Sequence, residues 1–151
     1  MVKEVFDKND ITELWSEAFG DSEEDILFFI DNVRHAKCIG YYQDDKLVSM
    51  LYFVRCMIYG EESHYVYAAC TSKLYRKKGY MGILLNYCKE SCGSTFCLIP
   101  ADEGLIDYYK SNGISEETSV DSISFNEDNE IIDYLFDGCE LEKPIALLYR
   151  K

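Results

Sequence analysis

The sequence predicts a mixed α/β fold: an N-terminal helical pair, an antiparallel strand meander, then a β-α-β unit completing a mixed sheet. Three observations carry this reading. Apolar stretches at 38–42, 46–59 and 63–71 are separated by the polar turns Gln43-Asp44-Asp45 and Gly60-Glu61-Glu62, as in consecutive hairpins. Met81, Leu84, Leu85 and Cys88 then recur at i, i+3, i+4 and i+7, the spacing of one helix face. The continuous apolar run Thr95 to Ile99 follows, which suits a buried strand. Strand, helix, strand in that order implies a right-handed crossover and two parallel strands.

Taken in order, residues 3–7 form a short first strand. Asp10 is placed to cap a helix running to Phe19, with Leu14, Trp15 and Ala18 on its apolar side and Gly20 as its stop. Ser22 opens a second helix with Asp25 three residues on, and Ile26, Phe28, Phe29, Ile30 and Val33 give it a broad apolar face. After the meander, the helix following Gly79 extends its face to Cys92, and Gly93-Ser94 breaks it. Pro100 ends the strand at 95–99, Asp102 caps a helix over 103–111, and Asn112-Gly113 stop it. Val120 to Phe125 alternates as a strand does, Glu130 to Phe136 reads as a turn or two of helix, and Pro144 to Tyr149 as a final strand. No internal repeat or linker interrupts the chain, so 1–151 is expected to be a single domain.

Composition excludes several classes. The 151 residues carry a net charge of -13, whereas a nucleic-acid partner needs a broad basic face. No apolar run approaches a membrane span. The seven cysteines contain no CxxC pair, only two histidines are present, and the N-terminus is polar. Free thiols in a reducing cytoplasm are expected, without a metal site. The thirteen Tyr and eight Phe fit core and strand packing better than an aromatic ligand groove.

Within this acidic chain no Asp or Glu occurs between Glu62 and Glu90, while Lys73, Arg76, Lys77, Lys78 and Lys89 fall inside the interval. Positive charge therefore gathers where a helix begins. Free N–H groups of a first helical turn, with the helix dipole behind them, attract anions, so this loop is expected to hold a phosphate-bearing ligand.

The segment Arg76-Lys77-Lys78-Gly79-Tyr80-Met81 resembles the Q/R-x-x-G-x-G/A acetyl-CoA loop of the GNAT superfamily of N-acyltransferases. Asp107-Tyr108-Tyr109-Lys110-Ser111-Asn112-Gly113-Ile114 is similar to a second, later segment of that fold. With the order of elements, the resemblance covers roughly residues 3–125. Two positions depart from the pattern: Met81 stands where Gly or Ala is usual, and Ile114 where Phe is usual. The tail after Phe125 has no clear match to the family's final strand pair.

The resemblance implies acetyl-CoA as co-substrate. Main-chain N–H groups of Lys77, Lys78, Gly79, Tyr80, Met81 and Gly82 would cradle its pyrophosphate, with charge added by Arg76, Lys77 and Lys78. Each helix-end interaction contributes only about 0.3–1 kcal/mol when exposed, so several act together to reach micromolar affinity, about -8 kcal/mol. The preceding strand, at Ala69, Cys70 and Thr71, would pair with the pantetheine arm. Tyr109 is the expected proton donor to the departing thiolate, because a phenol near pKa 10 and a thiol near 8.5 differ by only about 1.5 units.

The base that deprotonates the amine is open among Glu61, Glu62, His64, Asp21, Glu23 and Glu24. Cys70 reads as a core residue rather than a nucleophile. The expected activity is acetyl transfer from acetyl-CoA to a primary amine by direct attack in a ternary complex. The acceptor is a small-molecule or peptide amine, leaning toward a cationic one by steering, and the chain is a monomer or homodimer. The competing reading is a GNAT-like domain that binds an acyl-CoA or a protein partner without turnover.

Overall fold

Eight strands form one mixed sheet with helices on both faces in the computed structural model, which describes all residues except Cys92 and Ser94. The expected extension of a helix face to Cys92 and the break at Ser94 thus fall outside the described residues. The elements in order are β1 (Val2–Val5), α1 (Lys8–Phe19), α2 (Glu23–Asn32), β2 (Ala36–Gln43), β3 (Lys46–Ile58), β4 (Glu61–Thr71), α3 (Tyr80–Ser91), β5 (Phe96–Leu98), α4 (Glu103–Ser111), β6 (Glu116–Thr118), β7 (Ile123–Ser124), α5 (Asn129–Phe136) and β8 (Ala146–Tyr149). The strands lie in the order β1-β2-β3-β4-β5-β8-β6, and β7 pairs with β3.

Local capping chemistry sets most helix ends. Ser22 Oγ accepts the N–H of Asp25 at 3.2 Å, and Asp102 Oδ1 accepts that of Leu105 at 3.0 Å. Gly20 closes α1 at φ 74, the left-handed conformation in which a Cβ is costly. The cap of α1 is Asp7 rather than Asp10: Asp7 Oδ1 accepts the N–H groups of Asn9 at 2.8 Å and Asp10 at 3.1 Å. Lys8 and Asn9 are therefore already helical, and Asp10 instead accepts the Tyr42 hydroxyl at 2.9 Å.

The meander uses two tight hairpins whose central residues are both left-handed, as the twist of antiparallel strands requires. They are Asp44-Asp45, at φ 51 and 64, and Tyr59-Gly60, at φ 49 and 80. The second turn thus lies one residue earlier than expected, and Glu61 and Glu62 belong to β4. β4 and β5 run parallel, with His64 opposite Phe96 and Tyr65 opposite Cys97, as the crossover through α3 requires.

The stretch Val120 to Phe125 is mostly not a strand. Val120–Ser122 is a 3₁₀ turn capped by Ser119, whose hydroxyl accepts the Asp121 N–H at 3.2 Å, and only Ile123–Ser124 pairs, with the end of β3. The Ser119 and Ser122 hydroxyls, bonding nearby backbone groups, outcompete the alternating pattern here. The final strand β8 inserts between β5 and β6, antiparallel to both.

Residues of β3 alternate between two cores. Met50, Tyr52 and Val54 face α1, α2 and α5, whereas Leu51 and Phe53 face α3 and α4. On the first face, Trp15, Phe29, Tyr52 and Tyr67 form a set of aromatic contacts with ring centroids 5.2–5.9 Å apart. On the second, Leu84, Leu85 and Cys88 bury the predicted face of α3. Each fully buried Leu stabilises the fold by about 1.5–3 kcal/mol.

Candidate functional site

The site begins where two parallel strands part. β4 pairs with β5 only at His64 and Tyr65 but runs on to Thr71, so the β5-facing edge of its last residues carries no strand. On the other edge Tyr67 faces Tyr52 and Cys70 faces Met50, leaving Ala68 and Ala69 opposite Leu51 alone. This is a β-bulge, and Ala68 sits in it at φ 54. A non-glycine residue held left-handed stores about 1–2 kcal/mol, strain that collects at ligand sites. Backbone donors and acceptors thus become available around Ala69.

After β4, Lys73–Tyr75 makes one 3₁₀ turn, Arg76 is extended, and Lys77 and Gly79 turn left-handed at φ 63 and 84. Those two residues swing the chain into α3. Helical bonding begins with the Ile83 N–H donating to the Gly79 carbonyl at 3.1 Å, so the N–H groups of Tyr80, Met81 and Gly82 have no intrahelical acceptor. α1 braces the loop entrance. Glu17 accepts the Ser72 hydroxyl at 3.0 Å on one oxygen and the Lys73 N–H at 3.1 Å on the other.

A cleft of about 710 Å³ runs between the loop and α4. Its walls include Ala69, Cys70 and Thr71 from β4, and Arg76, Lys77, Gly79, Tyr80 and Met81 from the loop. Tyr108 and Tyr109 complete it from α4. Lys78 and Gly82 do not line it. The Lys78 ammonium lies 5.6 Å from the Tyr75 ring centroid, and Gly82 packs toward Asn112, whose Oδ1 would stand 3.4 Å from an added Cβ. Arg76 turns back to donate from Nε to the Thr71 carbonyl at 3.0 Å, making it a brace of the loop. Met81 lies at the border of core and cleft, half-buried against the α3 core.

A second cavity, about 340 Å³, opens on the other side of Ala69 and Tyr109. Trp15, Tyr67, Asp21, Asp137 and Glu140 contribute to its wall, and it shares Phe19, Ala69, Leu105 and Tyr109 with the cleft. Tyr109 thus stands between two spaces. Its side chain is buried, and desolvation, with smaller contributions from Tyr108, Cys70 and Asp102, holds the phenol well above its ordinary value, so it stays protonated. Among the described residues its hydroxyl has no hydrogen-bond partner.

Burial, then Glu17, pushes the Cys70 thiol up to about 12, which removes the thiolate a nucleophile needs at neutral pH. The Ser49 hydroxyl bonds the Cys70 carbonyl at 3.2 Å and Thr71 Oγ1 at 2.8 Å, fixing the end of β4.

Of the candidate bases, Glu61, Glu62 and His64 lie at the opposite end of β4 and line neither space. His64 stacks on Phe53 with centroids 4.5 Å apart, and burial lowers its pKa. Asp21 does reach the second cavity, where its Oδ2 accepts the Trp15 indole N–H at 2.9 Å. Among the described residues no group of His, Cys, Asp or Glu is arranged to hold a metal ion, and no helix is long and apolar enough to cross a membrane.

Sequence reasoning passed over Asp102, read only as a cap although it also lines the cleft, and the tail residues Asp137 and Glu140. Asp102 carried a signal, its place at the start of the helix that holds Tyr109. The tail residues carried none, because the pairing of β8 with distant strands brings them here.

A family model describing an Acetyltransferase (GNAT) domain matches residues 4–113. Among solved structures, an aminoglycoside 6'-acetyltransferase type Ii is similar over 99% of this chain and 96% of its own, with TM-score 0.64 and 18% identity. The GNAT family N-acetyltransferase YhbS of Escherichia coli, in complex with CoA, is similar over 75% of this chain and 67% of its own, with TM-score 0.61 and 14% identity. A larger conserved protein of Enterococcus faecalis V583 matches over 78% of this chain, with TM-score 0.59 and 16% identity, and this chain spans 33% of its length. A search of curated protein sequences finds no match. At these identities the structural likeness establishes the fold.

Proposed function

The chain belongs to the GNAT acetyltransferase domain family, and from that premise we propose that it transfers an acetyl group from acetyl-CoA to a primary amine by direct attack in a ternary complex. One observation carries the proposal: a cleft and a second cavity meet at Ala69 and Tyr109, where β4 has parted from β5. Two reactants entering from opposite sides would come together there.

The residues fit a pantetheine-bearing substrate. The open edge of β4 from Ala69 to Thr71 offers backbone pairing to an amide-rich arm, and the turn at Lys77 and Gly79 presents the first N–H groups of α3 to a pyrophosphate. No added Cβ at Gly79 would meet another atom within 4 Å, so the backbone there is open to approach. Lys77 adds charge at the cleft wall, while Lys78 acts from the periphery. Acetyl-CoA supplies an activated acyl carbon, and a solved neighbour holds CoA on the same fold.

Tyr109 is proposed to donate a hydrogen bond, then its proton, to the leaving sulfur. Its raised pKa widens the mismatch with an ordinary thiol, but a thiolate released into the same desolvated cleft is raised by the same cause. The test is a thermal-shift titration with acetyl-CoA against ATP, followed by an amine screen reading released thiol. Saturation at 100 times Kd adds about 2.7 kcal/mol, a shift of several degrees. No shift at millimolar acetyl-CoA overturns the proposal. A shift without thiol release from any amine favours a binding domain.

A further inference from the structure

We infer that the cavity beyond Tyr109 takes a compact amine bearing at least one further cationic group, such as a polyamine; this rests on the transfer reading above. The volume, about 340 Å³, lies at the lower end of small-molecule sites. Among the described residues that line it, Asp21, Asp137 and Glu140 are acidic and none is Lys, Arg or His. Across Tyr109, the cleft wall carries Arg76 and Lys77 against the single acid Asp102. The net charge of the described lining residues therefore changes sign from one side of Tyr109 to the other, suiting an anionic donor on one side and a cationic acceptor on the other.

The Asp21 carboxylate is fixed by accepting the Trp15 indole N–H at 2.9 Å. The main chain that carries the other two acids is fixed by the Asp137 and Glu140 N–H groups, which donate to the carbonyls of Tyr134 at 3.1 Å and Ala101 at 2.7 Å. Trp15 and Tyr67 supply aromatic wall between them, suited to methylene chains and to cations. The reacting nitrogen must be neutral to attack, and a carboxylate touching it would favour its protonated form. Asp21 and Asp137 bear electrostatically on Tyr67, whereas Tyr109 feels Tyr108, Cys70 and Asp102. The charge that Asp21 and Asp137 match is therefore a second nitrogen, away from the acyl carbon.

The experiment titrates spermidine into the full chain by calorimetry, with n-butylamine as the monoamine control. Wild type is expected to bind one spermidine, and Asp21→Asn combined with Asp137→Asn weakens binding about tenfold or more. Asn at position 21 keeps an oxygen for the Trp15 indole. The Asp44→Asn, Asp45→Asn pair removes the same charge elsewhere, at φ values of 51 and 64 that Asn tolerates, and leaves affinity within about twofold. If the cavity pair fails to fold, Asp21→Asn alone is read, with a loss of about threefold or more expected.

Equal losses in both pairs, or butylamine binding as well as spermidine, overturn the inference. If transfer occurs, the cavity pair raises the KM for spermidine about tenfold and leaves that for acetyl-CoA unchanged. Cavity-dependent spermidine binding without transfer to any amine sustains the inference and defeats the transfer reading.

Discussion

The carboxylate of Glu17 accepts the Ser72 hydroxyl at 3.0 Å, tying the first helix to the residue where β4 gives way to the basic loop. Its second oxygen takes the Lys73 N–H at 3.1 Å. Ser72 is buried, so removing the carboxylate strands its hydroxyl. Glu17→Ala is expected to lower stability by about 1–3 kcal/mol in urea unfolding and to weaken acetyl-CoA binding about three- to tenfold by loosening the loop. Unchanged acetyl-CoA affinity would separate the clamp from the ligand site.

Gly79 turns at φ 84, so any side chain there is strained although no neighbour crowds it. Gly79→Ala is expected to cost about 1–2 kcal/mol through conformation alone. Gly79→Asp adds a negative charge at the helix N-terminus and should abolish the acetyl-CoA thermal shift. The shift surviving intact in the Asp variant would remove this loop from cofactor binding.

Cys70 lies on the cleft wall, yet its thiol is pushed up to about 12 by burial and Glu17. Less than about one part in 10⁴ is thiolate at neutral pH. Cys70→Ala is expected to keep turnover within about threefold, and mass spectrometry after acetyl-CoA without acceptor should find no acyl group on Cys70. A stable acyl adduct there would replace direct attack with a two-step route.

Local signals made the frame readable. Gly20, Ser22 with Asp25, Asp102 and Gly113 all act within a few residues of their place in the chain, and each does what its chemistry predicts. Errors came where two local solutions compete, as between Asp7 and Asp10 for one cap, or between alternation and the serine-capped turn at 120–122. The grouping of the loop with Ala69 and Tyr109 followed from the resemblance of two segments to the GNAT superfamily. Nothing local announces that Ala68 will be left-handed, that Glu17 will meet Ser72, or that β8 will enter between β5 and β6. Those features depend on contacts distant in sequence. They build the clamp and the acidic wall.

Alkaline pH offers a separate check on burial. Desolvation raises the phenols of Tyr65 and Tyr109 in the folded chain well above the ordinary value near 10. The unfolded chain releases those protons from about pH 10 upward while the folded chain retains them. Their contribution is fully present below pH 10 and is lost as pH rises toward the folded values, at about 1.4 kcal/mol per pH unit for each group. The buried Cys70 thiol, raised to about 12, adds the same dependence from about pH 8.5, so urea midpoints should begin to fall there and fall more steeply beyond about pH 10. A level midpoint to pH 11 would mean that these hydroxyls ionise freely in the fold.

Tyr109→Phe isolates the proposed chemistry from the fold. The hydroxyl has no hydrogen-bond partner among the described residues, so its removal leaves no protein group stranded and stability should stay within about 0.5 kcal/mol. If the phenol protonates the departing sulfur, kcat falls about 10²-fold or more while the KM for acetyl-CoA barely moves. A fall in kcat alone would also fit a positioning role, so leaving-group dependence decides. An acyl donor whose thiol has a lower pKa needs less proton donation, and the defect should shrink with it. A loss that is the same for every leaving group would make Tyr109 a wall of the cleft rather than its acid.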